Sequence, residues 1–143
     1  MINNRPNVSR YQGTPPAGEG SDANRKISSG PLYPVEEVMP LVDQVLVNFW
    51  TRGSVRDSQK WKLDAQDAAD LVASALSNGR FLGAEWCEQK PSGPWAACDA
   101  YLVKRLEWNE AAHKSMSFTY YIKFAISNTG QVLLMASNHP EGA

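Results

Sequence analysis

Histidine and cysteine are scarce, with two of each in 143 residues. A structural zinc site takes four closely spaced ligands of these types. His113, His139, Cys87 and Cys98 form no Cys-x-x-Cys or His-x-x-x-His pair, so no metal site and no cofactor is expected. Long apolar runs are missing as well. The longest, such as "VLLMA" at 132–136, fall far short of the roughly 20 residues that span a bilayer, so no membrane partner is expected. No apolar stretch near the N-terminus resembles a secretory signal, and the expected location is the cytoplasm. Nucleotide hydrolysis lacks a phosphate loop, because "GTPPAGEG" at 13–20 has no Lys after it and no strand before it. A Ser-His-Asp triad lacks the Gly-x-Ser-x-Gly elbow that would frame it.

An excess of charge of one sign is also absent: 14 basic and 15 acidic residues leave a net charge of -1. Residues 1–32 hold four basic residues and two acidic ones, which leaves ten and thirteen for the remainder. The body therefore lacks the broad positive field of a protein that grips nucleic acid, and such a role needs a local patch.

Residues 1–32 are rich in Asn, Ser, Gly and Pro and carry few side chains able to offset the entropy of ordering them. They are expected to be a disordered leader whose deletion leaves the thermal midpoint nearly unchanged. Its first acidic residue is Glu19, a feature similar to the leaders of type III secretion effectors, which makes export the alternative location. Residues 33–143 are expected to form one α+β domain. "MPLVDQVLVNFWTRG" at 39–53 places Leu41, Val42, Val45, Leu46 and Phe49 at helical spacing, with Pro40 in a first turn and Gly53 as a stop. "LDAQDAADLVASALSNG" at 63–79 repeats the pattern, with Asp64 as N-cap and Gly79 as terminator. The period then changes to two in "RFLGAEWCEQK", "WAACDAYLVKRLEW", "MSFTYYIKFAIS" and "QVLLMASNH". The expected fold is two N-terminal helices packed on a four-stranded antiparallel sheet.

The hairpin "GAEWCEQKPSGPWAACDAY" at 83–101 is nearly a mirror. Paired about residues 91–94, it sets Cys87 opposite Cys98, Trp86 opposite Asp99 and Lys90 beside Trp95. That register permits a disulfide, although buried thiols are the expectation in a reducing compartment. A polar constellation is expected on the second face of the sheet: Asp99 and Tyr101, Tyr121 and Lys123, Ser137 and His139, each pair two residues apart.

The order of elements and these short motifs resemble the RelE-like bacterial ribonuclease toxins, and more narrowly the MqsR group of toxin-antitoxin systems, over about residues 40–139. In that group a helix ends just before a Phe-led strand, as in "ALSNGRFLGAE" here. A Trp and an Asp-x-Tyr follow, matched by Trp95, Asp99 and Tyr101, then a Tyr-x-Lys strand, matched by Tyr121 and Lys123. A last short strand ends in a basic residue, matched by His139. The resemblance implies a RelE-like fold, metal-independent RNA cleavage and a cognate antitoxin as protein partner. The chain departs from the pattern where the family's Lys falls at Gly83 and its Gln at Ala97 or Cys98, and in its acidic body.

On this reading His139 transfers protons, because histidine changes charge near neutral pH. Tyr121 or Tyr101 orients the phosphate or stacks a base, while Lys123 or Lys90, with Asp99 beside them, contacts the substrate. A second class of function is a catalytically inert binder: an inhibitor, an immunity protein or a secreted effector that masks a partner protein. The acidic body and the five tryptophans, Trp50, Trp61, Trp86, Trp95 and Trp108, point that way, since Trp is favoured at interface hot spots.

Overall fold

The computed structural model describes residues 5–18 and 24–142. Its longest helix, α3 (Ala65–Asn78), starts where the sequence places a cap. The Asp64 side chain accepts from the Asp67 amide, and the Asp67 side chain accepts in turn from the Asp64 amide, satisfying two donors that a helix start leaves open. Leu71, Val72 and Ala75 are buried on its inner side. Strands β3 (Arg80–Glu88), β4 (Trp95–Asn109), β5 (Lys114–Ile126) and β6 (Leu133–Pro140) follow as an antiparallel meander. Ile122, Phe124 and Ile126 are buried in one apolar cluster with α3, a burial that contributes about 1.5–3 kcal/mol for each large apolar side chain.

The expected four-stranded antiparallel sheet under two N-terminal helices is not what forms. The described residues contain three helices and a six-stranded mixed sheet, ordered β1-β3-β4-β5-β6-β2. The stretch expected as the first helix divides into three. Helix α1 (Val35–Asp43) ends in a Schellman arrangement, with the Leu46 amide bonded to the Leu41 carbonyl and the Val45 amide to the Val42 carbonyl. Val45 takes the left-handed position at φ 55°, which glycine usually fills, so no residue type announces the stop. Strand β2 (Val47–Phe49) then pairs parallel with β6, as suits its β-branched and aromatic residues.

Helix α2 (Arg52–Lys60) begins one residue before Gly53, the expected stop, and runs through it. Thr51 Oγ1 accepts from the Ser54 amide, and its hydroxyl donates to the Ala136 carbonyl at 2.7 Å. The Ser54 hydroxyl donates to Asn138 Oδ1, and Asp57 accepts from the Asn138 amide at 3.1 Å. Polar ties to β6 hold α2 in place, and a hydrophobic period does not reveal such a helix. No helix among the described residues is long and apolar enough to cross a membrane.

The segment expected as a disordered leader is laid on the sheet in its described parts; residues 1–4 and 19–23 of it lie outside the described residues. Strand β1 (Lys26–Ile27) pairs with β3. Tyr11, Ile27 and Leu32 pack on the buried Trp86 and Trp95, and the Arg5 and Arg25 guanidinium groups lie 4.5 and 5.0 Å from the Trp95 ring. The segment has little core of its own and orders by covering apolar residues that the sheet presents. Deleting residues 1–32 is therefore expected to lower the thermal midpoint by about 10 °C, at roughly 2–4 °C per kcal/mol for a chain of this size. A midpoint within 2 °C of the full chain would refute the packing role.

Candidate functional site

Register decides which side chains share the second face. Lys123 on β5 lies between Ala100 on β4 and Ser137 on β6, and Tyr121 lies between Leu102 and His139. The rings of Tyr121 and His139 stack at 5.4 Å and 22°. His139 reaches this face through a bulge: Met135 pairs with Phe124, Ser137 with Lys123, and Ala136 is the extra residue between them. One inserted residue reverses the alternation of everything after it. His139 Nδ1 lies 2.9 Å from the Pro140 carbonyl. A carbonyl only accepts, so Nδ1 is the donor in this contact and Nε2 is the nitrogen that faces no partner in it.

Lys123 donates to Glu85 Oε1 at 2.8 Å and its side chain is only 16% exposed. Burial pulls its ammonium down, but Cys87, Glu85 and Tyr121 together outweigh burial and hold the group above the usual lysine range. Burial raises the Tyr121 phenol against the opposing pull of Lys123. Both groups therefore stay protonated near neutral pH.

The face is flanked by three adjoining cavities. The first, about 410 Å³, lies between α2 and the β3–β4 hairpin and is lined by Arg25, Arg52, Arg56, Lys90 and Lys123, with Glu85, Cys87 and Glu88. The second, about 800 Å³, shares Gly53 and Arg56 with it and adds Lys60, Asp57, Ser137 and His139. The third, about 710 Å³, shares Glu85 and adds Lys26, Gly83, Ala100 and Tyr121. Seven of the fourteen basic side chains line this groove, against three of the fifteen acidic ones. A net charge of -1 hides this local patch.

The structure brings Tyr121, Lys123, Ser137 and His139 together as expected, and places Lys90, exposed, on the rim of the first cavity. It does not bring Asp99 and Tyr101 to them. Tyr101 pairs with Ile122 and Asp99 with Phe124, so both lie on the core face. Tyr101 is buried, edge-on to Phe81 at 5.5 Å and stacked with Phe124 at 5.9 Å. Burial, with Asp99 nearby, pushes its phenol up to about 12. Asp99 is fully buried and accepts from the Leu32 amide at 2.9 Å and the Tyr33 amide at 3.1 Å. Both residues shape the fold and neither reaches the groove.

The cysteine register also differs from the mirror. Glu85 faces Cys98 and Cys87 faces Ala96, because the loop closes with the Gln89 amide on the Pro94 carbonyl and the Gly93 amide on the Lys90 carbonyl. Trp86 accordingly faces Ala97 and not Asp99. A two-residue slip keeps both thiols on one face, where they are buried and free. Hydrogen bonding from the Cys98 thiol, aided by the Lys123 charge, draws Cys87 below the usual thiol range despite burial. Burial, with Cys87 beside it, pushes Cys98 well above.

Sequence reasoning missed Arg52, Arg56, Glu85 and Arg25. The four-residue spacing of Arg52 and Arg56 sets them on one helix face, a signal that goes unread when α2 is not recognised as a helix.

Asp99→Ala leaves two buried amides without an acceptor, each costing about 1–3 kcal/mol, so urea unfolding should show a loss of roughly 3 kcal/mol, and Tyr101→Phe should leave stability close to wild type. Burial raises Asp99 above its usual 3.8 despite the Leu32 and Tyr33 amides, so the folded chain binds this proton more tightly than the unfolded chain. Its contribution to stability is present in acid and lost as pH rises through the folded value. Stability measured upward from pH 4 should fall less steeply in Asp99→Asn than in wild type; parallel profiles would show that Asp99 does not titrate as a buried acid. Comparison of the chain with protein-family models, with curated proteins and with solved structures finds no match.

Proposed function

We propose that the chain is a metal-independent endoribonuclease, of the kind its resemblance to MqsR-type toxins implies, with the open face of the sheet as its RNA site. The observation that carries this reading is the gathering of half the basic side chains around the stacked Tyr121–His139 pair and Lys123. In an acidic chain such a concentration favours an anionic ligand. The polar, partly buried floor between the cations supplies groups for proton transfer.

In this mechanism His139 Nε2 takes the proton of a ribose 2′-hydroxyl, and the 2′ oxygen attacks the adjacent phosphorus. The bond from phosphorus to the 5′ oxygen breaks as the Tyr121 hydroxyl delivers a proton to that oxygen, leaving a 2′,3′-cyclic phosphate. The Lys123 ammonium, fixed by Glu85, neutralises charge that builds on the phosphoryl oxygens. Arg52, Arg56 and Lys60 on α2 hold the flanking phosphates.

Exposed Trp108 and Leu106, 55% and 71% accessible on the far end of the β4–β5 ribbon, favour a second reading in which that end docks a protein, such as a cognate antitoxin or a masked target.

Purified protein incubated with mixed RNA is expected to cleave it with or without EDTA and to leave cyclic phosphate ends. His139→Ala should lower the rate by about 10²-fold or more, the usual loss when a general acid or base is removed. Lys123→Ala should weaken RNA binding and flatten its salt dependence. Folded protein that leaves every RNA intact, or that cleaves only with added metal, would sink the reading.

A further inference from the structure

The cavity of about 410 Å³ between α2 and the β3–β4 hairpin holds more positive charge than one phosphodiester requires. Its two carboxylates are already engaged. Glu85 accepts from Lys123 at 2.8 Å, and Glu88 takes Arg25 at 2.5 Å together with Arg5. Arg52, Arg56 and Lys90 have no carboxylate partner among the described residues. They come from two separate elements, α2 and the hairpin loop, and face one space.

Gly53, next to Arg52, also lines the cavity, and an added Cβ there would meet only Thr51 Oγ1 at 3.9 Å. The packing of the fold does not call for glycine there, and a glycine within a helix is unfavourable. The missing side chain leaves room for a group to approach the backbone closely. A phosphodiester brings one negative charge, whereas a terminal phosphate monoester brings about -1.5 to -2 near neutral pH and offers three oxygens to guanidinium donors.

We infer that this cavity is a pocket for a terminal phosphate monoester, and that the protein engages RNA strands preferentially by a phosphorylated end. The source of the phosphate rests on the RNA reading above; the chemistry of the pocket does not. Either end of a strand can supply the group, so the test carries both.

Oligonucleotides of 2′-O-methyl RNA, which lack the attacking hydroxyl, are bound to the full chain and followed by fluorescence anisotropy with a 5′-phosphate, a 3′-phosphate or hydroxyl ends only. One phosphorylated form is expected to bind about 10-fold more tightly than the hydroxyl form, the scale of a few charge-assisted hydrogen bonds. In Arg52→Ala/Arg56→Ala that ratio should fall to near one. In Lys104→Ala/Lys114→Ala, which removes equal charge from the exposed ribbon, the ratio should persist. Equal affinity for all three forms overturns the inference, as does a ratio lost equally in both double variants. Inorganic phosphate at constant ionic strength separates this failure from that of the RNA reading. A midpoint raised by phosphate in wild type but not in Arg52→Ala/Arg56→Ala keeps the pocket even where no RNA is cleaved, and no rise in wild type removes it.

Discussion

The buried carboxylate of Asp99 fixes where the chain passes from the N-terminal segment into α1. By accepting from the Leu32 and Tyr33 amides it anchors the chain just before α1, at the point where the N-terminal segment leaves the sheet. Tyr33 adds its hydroxyl to the Ala97 carbonyl. With that exit set, β1 aligns on β3, and Arg25 reaches both Glu88 and the Trp95 ring. Arg25 also stands on the wall of the first cavity. The carboxylate buried on the core face thus helps set the position of an arginine at the edge of that cavity. The desolvation of Asp99 opposes this arrangement, and the amides that would otherwise be left unpaired hold it in place.

Alternation along the strands separates core from groove, and the bulge at Ala136 adjusts the separation on β6. Leu133 and Met135 face the core with Ile126 and Phe124. An unbroken strand would send Ser137 and His139 the same way, into a cluster with no room for an ionisable ring. The inserted residue turns Asn138 inward instead, where Ser54 and the Asp57 carboxylate on α2 meet its side chain and amide. The contact that seats α2 and the one that presents His139 therefore share a single backbone irregularity. Arg52 and Arg56 ride on α2, so the cationic wall and the stacked pair are positioned together.

What the sequence made legible follows from where its physical signals are strong. Helix α3 has a cap, a terminator and a clean apolar stripe, and β5 alternates large apolar residues with polar ones, so both could be read directly. On β4 both alternating sets, Asp99 apart, are small, aromatic or aliphatic from Trp95 to Val103, and members of both are buried. Composition cannot say which set is inside, so pattern alone sends Asp99 and Tyr101 to the second face, whereas pairing with Phe124 and Ile122 sets them on the core face. The break between α1 and β2 turns on Val45 in a conformation that its side chain disfavours. Helix α2 is held by Thr51, Ser54 and Asp57, residues whose burial depends on partners 80 or more positions away.

Charge shows the same dependence on folding. Helices α1 and α3 contain no lysine or arginine, and their outer sides carry Glu36, Glu37, Asp43, Asp67 and Asp70. Both pack on the core face of the sheet, away from the groove. Helix α2, on the groove side, carries Arg52, Arg56 and Lys60 against the single acid Asp57. Arg10 and Arg105 pair with Glu37 and Asp67 on the helix layer, which leaves Glu36, Asp43 and Asp70 there without a basic partner among the described ion pairs, while the basic side chains of α2 line the groove. On the proposed reading, a polyanion meets cations on the groove side and acids on the helix side, a difference that biases the encounter before contact. Such steering weakens once the Debye length falls to a few ångströms at high salt. On the proposed reading, the acidic helices α1 and α3 disfavour approach from their side of the sheet and leave the face that bears Tyr121 and His139 to the strand.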